Sequence, residues 1–319
     1  MQLTNYMMEK RSLSTENTGM DVTRMQIQKS LVLNPDLSSQ LFRVSAVATW
    51  STSSIKFSIY SVNNQGVKTV DHATCTVNIS PAKIWISEWK RNAYLIQSRI
   101  EALRKSVEHS EAHRMKRAIV YRLFANIVEY DPDYQGMREV ILNSEDLEAV
   151  STVKFEVGDQ GFYFNPKWMD SLGGVAGFIM NGNDSPHPKA EVFINHGWDG
   201  FKFISRFQPG KTYHSYNRMQ LREGTLYAGD TYIFDGDEIV AVIEQIQVCQ
   251  IGSRLGYFLI ILVLGGSASS SGWSEADVQV KSEASSSIQE YGTSCPNSKV
   301  GGKEALPVFN TFTVRPICF

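Results

Sequence analysis

The residues best placed for chemistry lie in the stretch Phe164-Asn165-Pro166-Lys167-Trp168-Met169-Asp170-Ser171-Leu172-Gly173-Gly174-Val175-Ala176-Gly177-Phe178-Ile179-Met180-Asn181. Counting on from Asp170 by three, four, seven and eleven residues gives Gly173, Gly174, Gly177 and Asn181. On a helix these positions share one side, so the acid heads a strip with almost no side chains. A carboxyl group held there loses water, and its pKa rises unless a partner is present. Each interior helical glycine costs roughly 1 kcal/mol relative to alanine, so three on one side call for a reason. One reason is close packing against a neighbouring strand. The other is the wall of a channel, with a ligand sliding along bare backbone and Asp170 at its end.

The element that carries them is predicted to be a helix from Pro166 to about Asn181. Asn165 can cap the first free N–H groups, proline suits the first helical position, and Trp168, Leu172, Val175 and Ile179 recur at helical spacing. Strands are expected on both sides: Val153, Phe155 and Val157 before it, then 192–198, 201–207, 213–220, 226–234 and 239–247, with Asp235-Gly236 as a hairpin signal between the last two.

Upstream, Phe42, Val44, Ala46, Ala48 and Trp50 alternate, as do Ile55, Phe57 and Ile59. After a turn at Asn63-Asn64-Gln65-Gly66, a third strand places Ala73, Cys75, Val77 and Ile79 inward. His72 falls on that strand's other face with Thr74 and Thr76, as a polar-face histidine. From Ile86 the period changes. Ile86, Trp89, Ala93, Ile96, Ile100, Leu103 and Val107 mark a long amphipathic helix, and Ile119, Leu123 and Ile127 with Val120, Phe124 and Val128 mark a second. A short acidic helix is expected around 144–147. Between Ala82 and Arg117 nine Lys or Arg stand against four Glu, a balance of +5 that fits either a solvated face or docking of an acidic or phosphate-bearing partner.

The organisation reads as a curled antiparallel sheet twice over, an α+β chain with a central helix in the second copy. The expected divisions are a disordered N-terminus (1–20), an incomplete N-terminal lobe (21–81), a helical linker region (82–146), a C-terminal lobe (147–253) and a tail (254–319). No helix is expected ahead of the first sheet. That leaves the row of Phe42, Val44, Trp50, Phe57 and Ile59 open to association, a homodimer included.

With 319 residues, 42% apolar content, 11% aromatics and a formal charge of −2, the composition is that of a globular chain with no sign of nucleic-acid or membrane-surface binding. Cys75, Cys249, Cys295 and Cys318 lie far apart without a CxxC pair, so neither a metal site nor a disulfide framework is signalled, and a reduced, cytoplasmic setting fits. Leu255 to Leu264 is an apolar run of ten residues, against the roughly 20 that a membrane span requires. The Ser-rich stretch 267–287 and the remainder read as disordered.

The segments NPKWMDSLGGVAGFIMN, VFINHGWD, KTYHSYNRMQLREGTLYAGDTYIFDGDEIVAV, KTVDHATCTV and EWKRNAYLIQSRIEALRKSV resemble the product template domain of fungal non-reducing polyketide synthases, closest to those making anthraquinone-type precursors. The resemblance covers about residues 21–253. It implies a double hot dog fold related to dehydratases. It also implies aldol cyclisation and aromatisation of a poly-β-keto thioester, brought on the phosphopantetheine arm of an acyl carrier protein, with no cofactor of the domain's own. Asp170 matches the family's catalytic Asp, and Asn195 a pocket asparagine able to donate to a substrate oxygen. Gly174 stands where relatives carry His or Gln, and with Gly177 it would border the substrate. The family's catalytic His would fall upstream of Asp21, and no histidine precedes His72. His196 is one imaginable substitute, although neighbours on a strand point to opposite faces. The resemblance therefore leaves two readings, a cyclase that obtains its base elsewhere and an inactive remnant that at most binds acyl chains or a carrier. Asp170-Ser171-Leu172 also spells the arm-bearing motif of carrier proteins, but β-patterned segments flank it instead of a four-helix domain.

Overall fold

The computed structural model describes residues 1–29, 40–125, 127–184 and 191–252. The expected tail, with its run Leu255 to Leu264 and Ser-rich stretch, lies outside the described residues.

The chain opens with helix α1 (Gln2–Lys10) and strand β1 (Thr18–Ile27). Strands β2 (Phe42–Thr49), β3 (Ser54–Val62) and β4 (Lys68–Pro81) follow as the predicted antiparallel meander, with Val44 opposite Ile59 and Phe57 opposite Cys75. Its second turn closes through Gly66 at φ +78°, whose N–H donates to the Asn63 carbonyl at 2.9 Å. The loose end expected over residues 1–20 is structured instead. Met7 and Met8 are buried in one core with Ala46, Ile55, Phe57 and Val77, so the first sheet does have a helix against it, though a short one. A single apolar turn in a polar segment leaves no periodicity to read. The inward row is closed at its middle and half-buried at Phe42, Val44 and Ile59. β1 also escapes the pattern, because a bulge with Arg24 at φ +53° breaks its alternation.

Helix α2 (Ala82–Ser106) is the predicted amphipathic helix. The rest of the expected linker region alternates strand and helix: β5 (His113–Lys116), helix α3 (Arg117–Phe124) and β6 (Met137–Asn143) lead into β7 (Glu148–Lys154). No helix forms at 144–147. Asn143 Oδ1 accepts the Asp146 N–H at 2.9 Å and Leu147 adopts φ +49°, making a tight turn between β6 and β7. The predicted central helix is α4 (Pro166–Asn181). Beyond it run β8 (Glu191–Gly197), β9 (Gly200–Phe203), β10 (Thr212–Arg218), β11 (Gln220–Glu223), β12 (Leu226–Asp235) and β13 (Glu238–Gly252), with Gly236 at φ +60° in the predicted hairpin.

Among the described residues the strands form one continuous sheet, ordered β2-β3-β4-β1-β9-β13-β12-β10-β7-β6-β5, with β8 added on β13 and β11 on β12. The two lobes join where β1 meets β9, through Met20 opposite Phe203 and Asp21 opposite Lys202. On the inner face Met20, Phe201, Phe203, Ile243 and α4 share one core. On the outer face α2 buries Trp85, Trp89, Ile100 and Leu103 against Ile141, Val150, Tyr216, Phe234 and Val242. Trp85 reaches the first lobe as well, since a Cβ on Gly19 of β1 would lie 2.2 Å from its ring. Only glycine permits that approach.

The seam carries charge. Lys202 pairs with Glu244 at 2.5 Å, while the buried Asp21 keeps one carboxylate oxygen without a hydrogen-bond partner among the described residues. Burial pushes the Asp21 carboxyl up to about 6, Lys202 opposes this, Glu244 adds to it, and the Phe201 N–H opposes it. The folded state therefore favours the neutral acid. The cost of its charge is in full force above pH 6 and disappears below the ordinary carboxyl pKa of about 3.9. Asp21→Asn is expected to stabilise the fold at pH 7 by roughly 1–3 kcal/mol and to flatten the gain in stability that the parent shows as pH falls from 7 to 4. Urea melts across that range test it, and a less stable variant at pH 7 would contradict the assignment.

Candidate functional site

Helix α4 is fastened at both ends. Asn165 accepts the Lys167 N–H at 3.0 Å as N-cap and donates to the Gly158 carbonyl at 2.8 Å. At the other end the Asn181 side chain donates to the Phe193 carbonyl at 2.9 Å and accepts the Phe193 N–H at 3.0 Å, tying the helix to β8. Between them Trp168, Leu172, Val175, Ala176, Phe178 and Ile179 are fully buried. Trp168 stacks on Phe155 with centroids 4.8 Å apart and donates its indole N–H to the Val157 carbonyl at 3.0 Å.

Asp170 is reachable by water yet ringed by protein, so it stands in a recess and not on the outer surface. No hydrogen bond or ion pair to it is found among the described residues, and burial alone pushes its carboxyl up to about 6. Tyr121 and Tyr130 both sense its charge. Burial raises the Tyr121 hydroxyl to about 12, the Met137 N–H at 3.0 Å opposes this, and Asp170 adds to it. The Tyr130 hydroxyl is raised further, by burial and then by Asp170. Their rings meet edge to face at 5.6 Å, and Phe124 closes the cluster against Tyr130 at 5.3 Å and Phe178 at 5.4 Å. Sequence reading missed both tyrosines, because nothing in their spacing ties them to a carboxylate on another element.

The bare strip opens as it leaves Asp170. A Cβ at Gly173 would lie 3.5 Å from Ile243, one at Gly174 would lie 3.4 Å from the end of Met137, and one at Gly177 would have nothing within 4 Å. None of the three is pressed against backbone, so close packing does not explain them. At Gly177 the helix borders open space. Gly174, beneath the Met137 methyl, gives the wall an apolar character.

The other singled-out residues are dispersed. Asn195 is exposed, and its side-chain oxygen accepts the Gly197 N–H at 2.9 Å, while its amide N–H groups have no partner among the described residues. His196 is exposed. His72 is not a polar-face residue: a bulge in β4 makes it an extra residue, and its buried ring lies between Ser61 and the Lys29 carbonyl. Ser171 is buried, 2.9 Å from the Lys167 carbonyl and 3.0 Å from the Tyr134 carbonyl, and it accepts the Gly136 N–H at 3.2 Å. It has no room for a prosthetic arm. The described residues contain no His, Cys, Asp or Glu cluster able to hold a metal ion, and no helix among them is long and apolar enough to cross a membrane.

A continuous curled sheet with a helix against the inner face of each lobe defines a double hot dog domain of the dehydratase class. Solved structures agree on the fold. The dehydratase domain from the CurJ module of curacin polyketide synthase superposes with a TM-score of 0.56 at 12% identity, covering 80% of this chain and 83% of that one. The dehydratase domain of RzxB from Pseudomonas fluorescens gives 0.53 at 11% identity, covering 77% and 82%. Residues 101–254 match the polyketide synthase dehydratase N-terminal domain. The non-reducing polyketide synthase phnA of Penicillium herquei is 47% identical over 233 residues, which are 72% of this chain and 11% of that protein. The conidial yellow pigment biosynthesis polyketide synthase melA of Penicillium expansum is 44% identical over 240 residues, 75% of this chain and 11% of that protein. This chain carries a dehydratase-like domain similar to a segment of fungal non-reducing polyketide synthases, and it spans about a tenth of the length of these curated relatives.

Because Gly177 borders open space within a helix, Gly177→Ala is expected to raise stability by roughly 0.5–1 kcal/mol, read as an upward shift of the thermal midpoint. A lower midpoint would mean that the strip is packed after all.

Proposed function

We propose that this domain closes a carrier-bound poly-β-keto chain into aromatic rings by aldol condensation and dehydration, with Asp170 as its acid–base group. The observation that carries the reading is the Asp170 carboxyl, pushed up to about 6 in a water-reachable recess beside the open face at Gly177. An acid with that pKa exchanges its proton in both directions near neutral pH. As carboxylate it can take a proton from a methylene flanked by two carbonyls. The resulting enolate carbon attacks a ketone carbon further along the chain. As the acid, Asp170 can return the proton to the new alkoxide, and the same exchange serves loss of water. Tyr130, held protonated by its raised pKa, can donate a hydrogen bond to the developing oxyanion, whereas the Tyr121 hydroxyl is already given to the Tyr134 carbonyl at 3.3 Å. In this reading the amide of Asn195 holds a substrate carbonyl, and Gly174 and Gly177 leave width for a folded chain. Products of the anthraquinone type fit the sequence resemblance.

A second reading, acyl-chain binding without chemistry, is favoured by one observation. No histidine among the described residues is hydrogen-bonded to Asp170; His72 is engaged by Ser61 and His113 by Asp184 at 3.2 Å. One experiment separates the two. The full chain, or its Asp170→Asn variant, is added to a minimal ketosynthase and carrier protein, and aromatic products are compared with spontaneous cyclisation. The cyclase reading expects products above background, a rate that falls as pH drops through about 6, and loss of both features in the variant. Equal products from parent and variant would remove Asp170 from the chemistry. No gain from either, with acyl thioester still bound, would select the binding reading.

Delivery on a carrier's phosphopantetheine arm would use the exposed face of α2. Lys83, Lys90, Arg91, Arg104 and Lys105 are exposed there. Arg99 is not available, because it holds the buried Glu148 through a two-pronged ion pair that Tyr216 completes. Reversing it would leave a buried carboxylate unpaired. Charge reversal at Lys90 and Arg91 is expected to weaken carrier binding several-fold at low salt and less at high salt. Unchanged affinity at low salt would leave α2 as a solvated face.

A further inference from the structure

We propose that Ser61 and His72 form a nucleophile–base pair in the first lobe that takes an acyl group from a thioester, or a similarly activated ester, bearing an apolar chain. The pair stands on geometry independent of Asp170. Ser61 Oγ lies 2.6 Å from His72 Nε2, and His72 Nδ1 lies 3.0 Å from the Lys29 carbonyl oxygen. A carbonyl oxygen only accepts, so the ring proton sits on Nδ1. In the neutral ring the lone pair is then on Nε2, and the Ser61 hydroxyl must donate to it. That is the arrangement of an activated serine: a hydroxyl, a base in the correct tautomer, and a third group that orients the base. Here a backbone carbonyl takes the orienting role that a carboxylate plays in a triad.

The backbone is shaped to produce it. β3 and β4 pair Ile59 with Ala73 and then Tyr60 with Asp71, so His72 is the extra residue of a bulge. Bulges re-aim a side chain out of strict alternation. The His72 carbonyl is fixed in turn, accepting the Gln28 N–H at 2.8 Å and the Lys29 N–H at 3.3 Å, so the ring's position is set from both sides. Ser61 continues the inward row of Ile55, Phe57 and Ile59 and sits opposite Phe42. Phe42, Val44, Ile59 and Ser61 are only half-buried, which provides an apolar floor with access to the hydroxyl. An apolar acyl chain fits that floor; a charged one does not.

The reaction balances without any further reagent. Ser61 Oγ attacks the thioester carbonyl carbon as His72 Nε2 takes the hydroxyl proton. The C–S bond then breaks, the departing sulfur receives that proton from His72, and an O-acyl serine remains. The N–H of Val62, next after the nucleophile, is taken by the Leu41 carbonyl at 3.1 Å and offers no oxyanion donor. The expected outcome is therefore stoichiometric acylation and not turnover.

The test exposes the full chain to hexanoyl-N-acetylcysteamine and follows intact mass and peptide maps. One hexanoyl group is expected on Ser61, absent from Ser61→Ala, unaffected by Asp170→Asn, and formed about 10²-fold more slowly or worse in His72→Gln, the scale on which a general base contributes. Because His72 is buried and His72→Gln can fail to fold, the parent is also treated in urea above its unfolding midpoint, where the pair is dispersed and Ser61 should lose its reactivity. No adduct on Ser61 of the folded chain overturns the proposal. So does Ser61 labelling as fast in urea, or in a folded His72→Gln variant, as in the native parent.

Discussion

Removing α4 from water is the event on which the second lobe depends. Trp168, Leu172, Val175, Phe178 and Ile179 have almost no exposed surface, and each buried side chain of that kind contributes roughly 1.5–3 kcal/mol. The sheet must curl around the helix to collect that energy. The two asparagines at its ends then fix its height and rotation, one by capping and one by binding the backbone of β8. Asp170 is carried into a protein-lined recess as a consequence. Its raised pKa is a by-product of core formation, since burial is its only resolved cause.

The same packing explains the empty side of the helix. A helix buried on every side would leave no space, whereas three glycines below one acid keep a face clear without loss of the apolar stripe. The aromatic cluster of Tyr121, Phe124, Tyr130 and Phe178 supplies a wall beyond that face, and its two hydroxyls lie within the field of the carboxylate. Similarity to dehydratase domains at 11% to 12% identity shows that this architecture survives almost complete replacement of side chains. Chemistry must therefore be argued from this chain's own residues.

Continuity between the lobes rests on little backbone. β1 and β9 share two residue pairs, and α2 lies across the outer face with Trp85 over Gly19 and with Ile100 and Leu103 over the second lobe. The Asp21, Lys202 and Glu244 cluster places unbalanced charge at that junction. Apolar packing of α2 outweighs it, in keeping with the small net value of partly buried ion pairs.

Periodicity alone determined α4 and its cap, the β2 to β4 meander, α2 and the strands of the second lobe, because each has a long run in which one face is apolar and the other is not. It also put Asp170 at the head of a bare strip, since helical spacing is a local property. Tertiary structure decided the rest. α1 and β1 were illegible, one having a single apolar turn and the other a bulge, and both are ordered only by the sheet they join. The turn at 144–147 replaced an expected helix because β6 and β7 pair directly, with Asn143 opposite Glu148, and Leu147 takes a left-handed conformation that closes the hairpin. A bulge no pattern announces turned His72 inward toward Ser61. Tyr121 and Tyr130 reach the field of Asp170 only when α3 and the segment after it pack against α4, and contacts between such distant positions follow from the shape of the core, which no local spacing encodes.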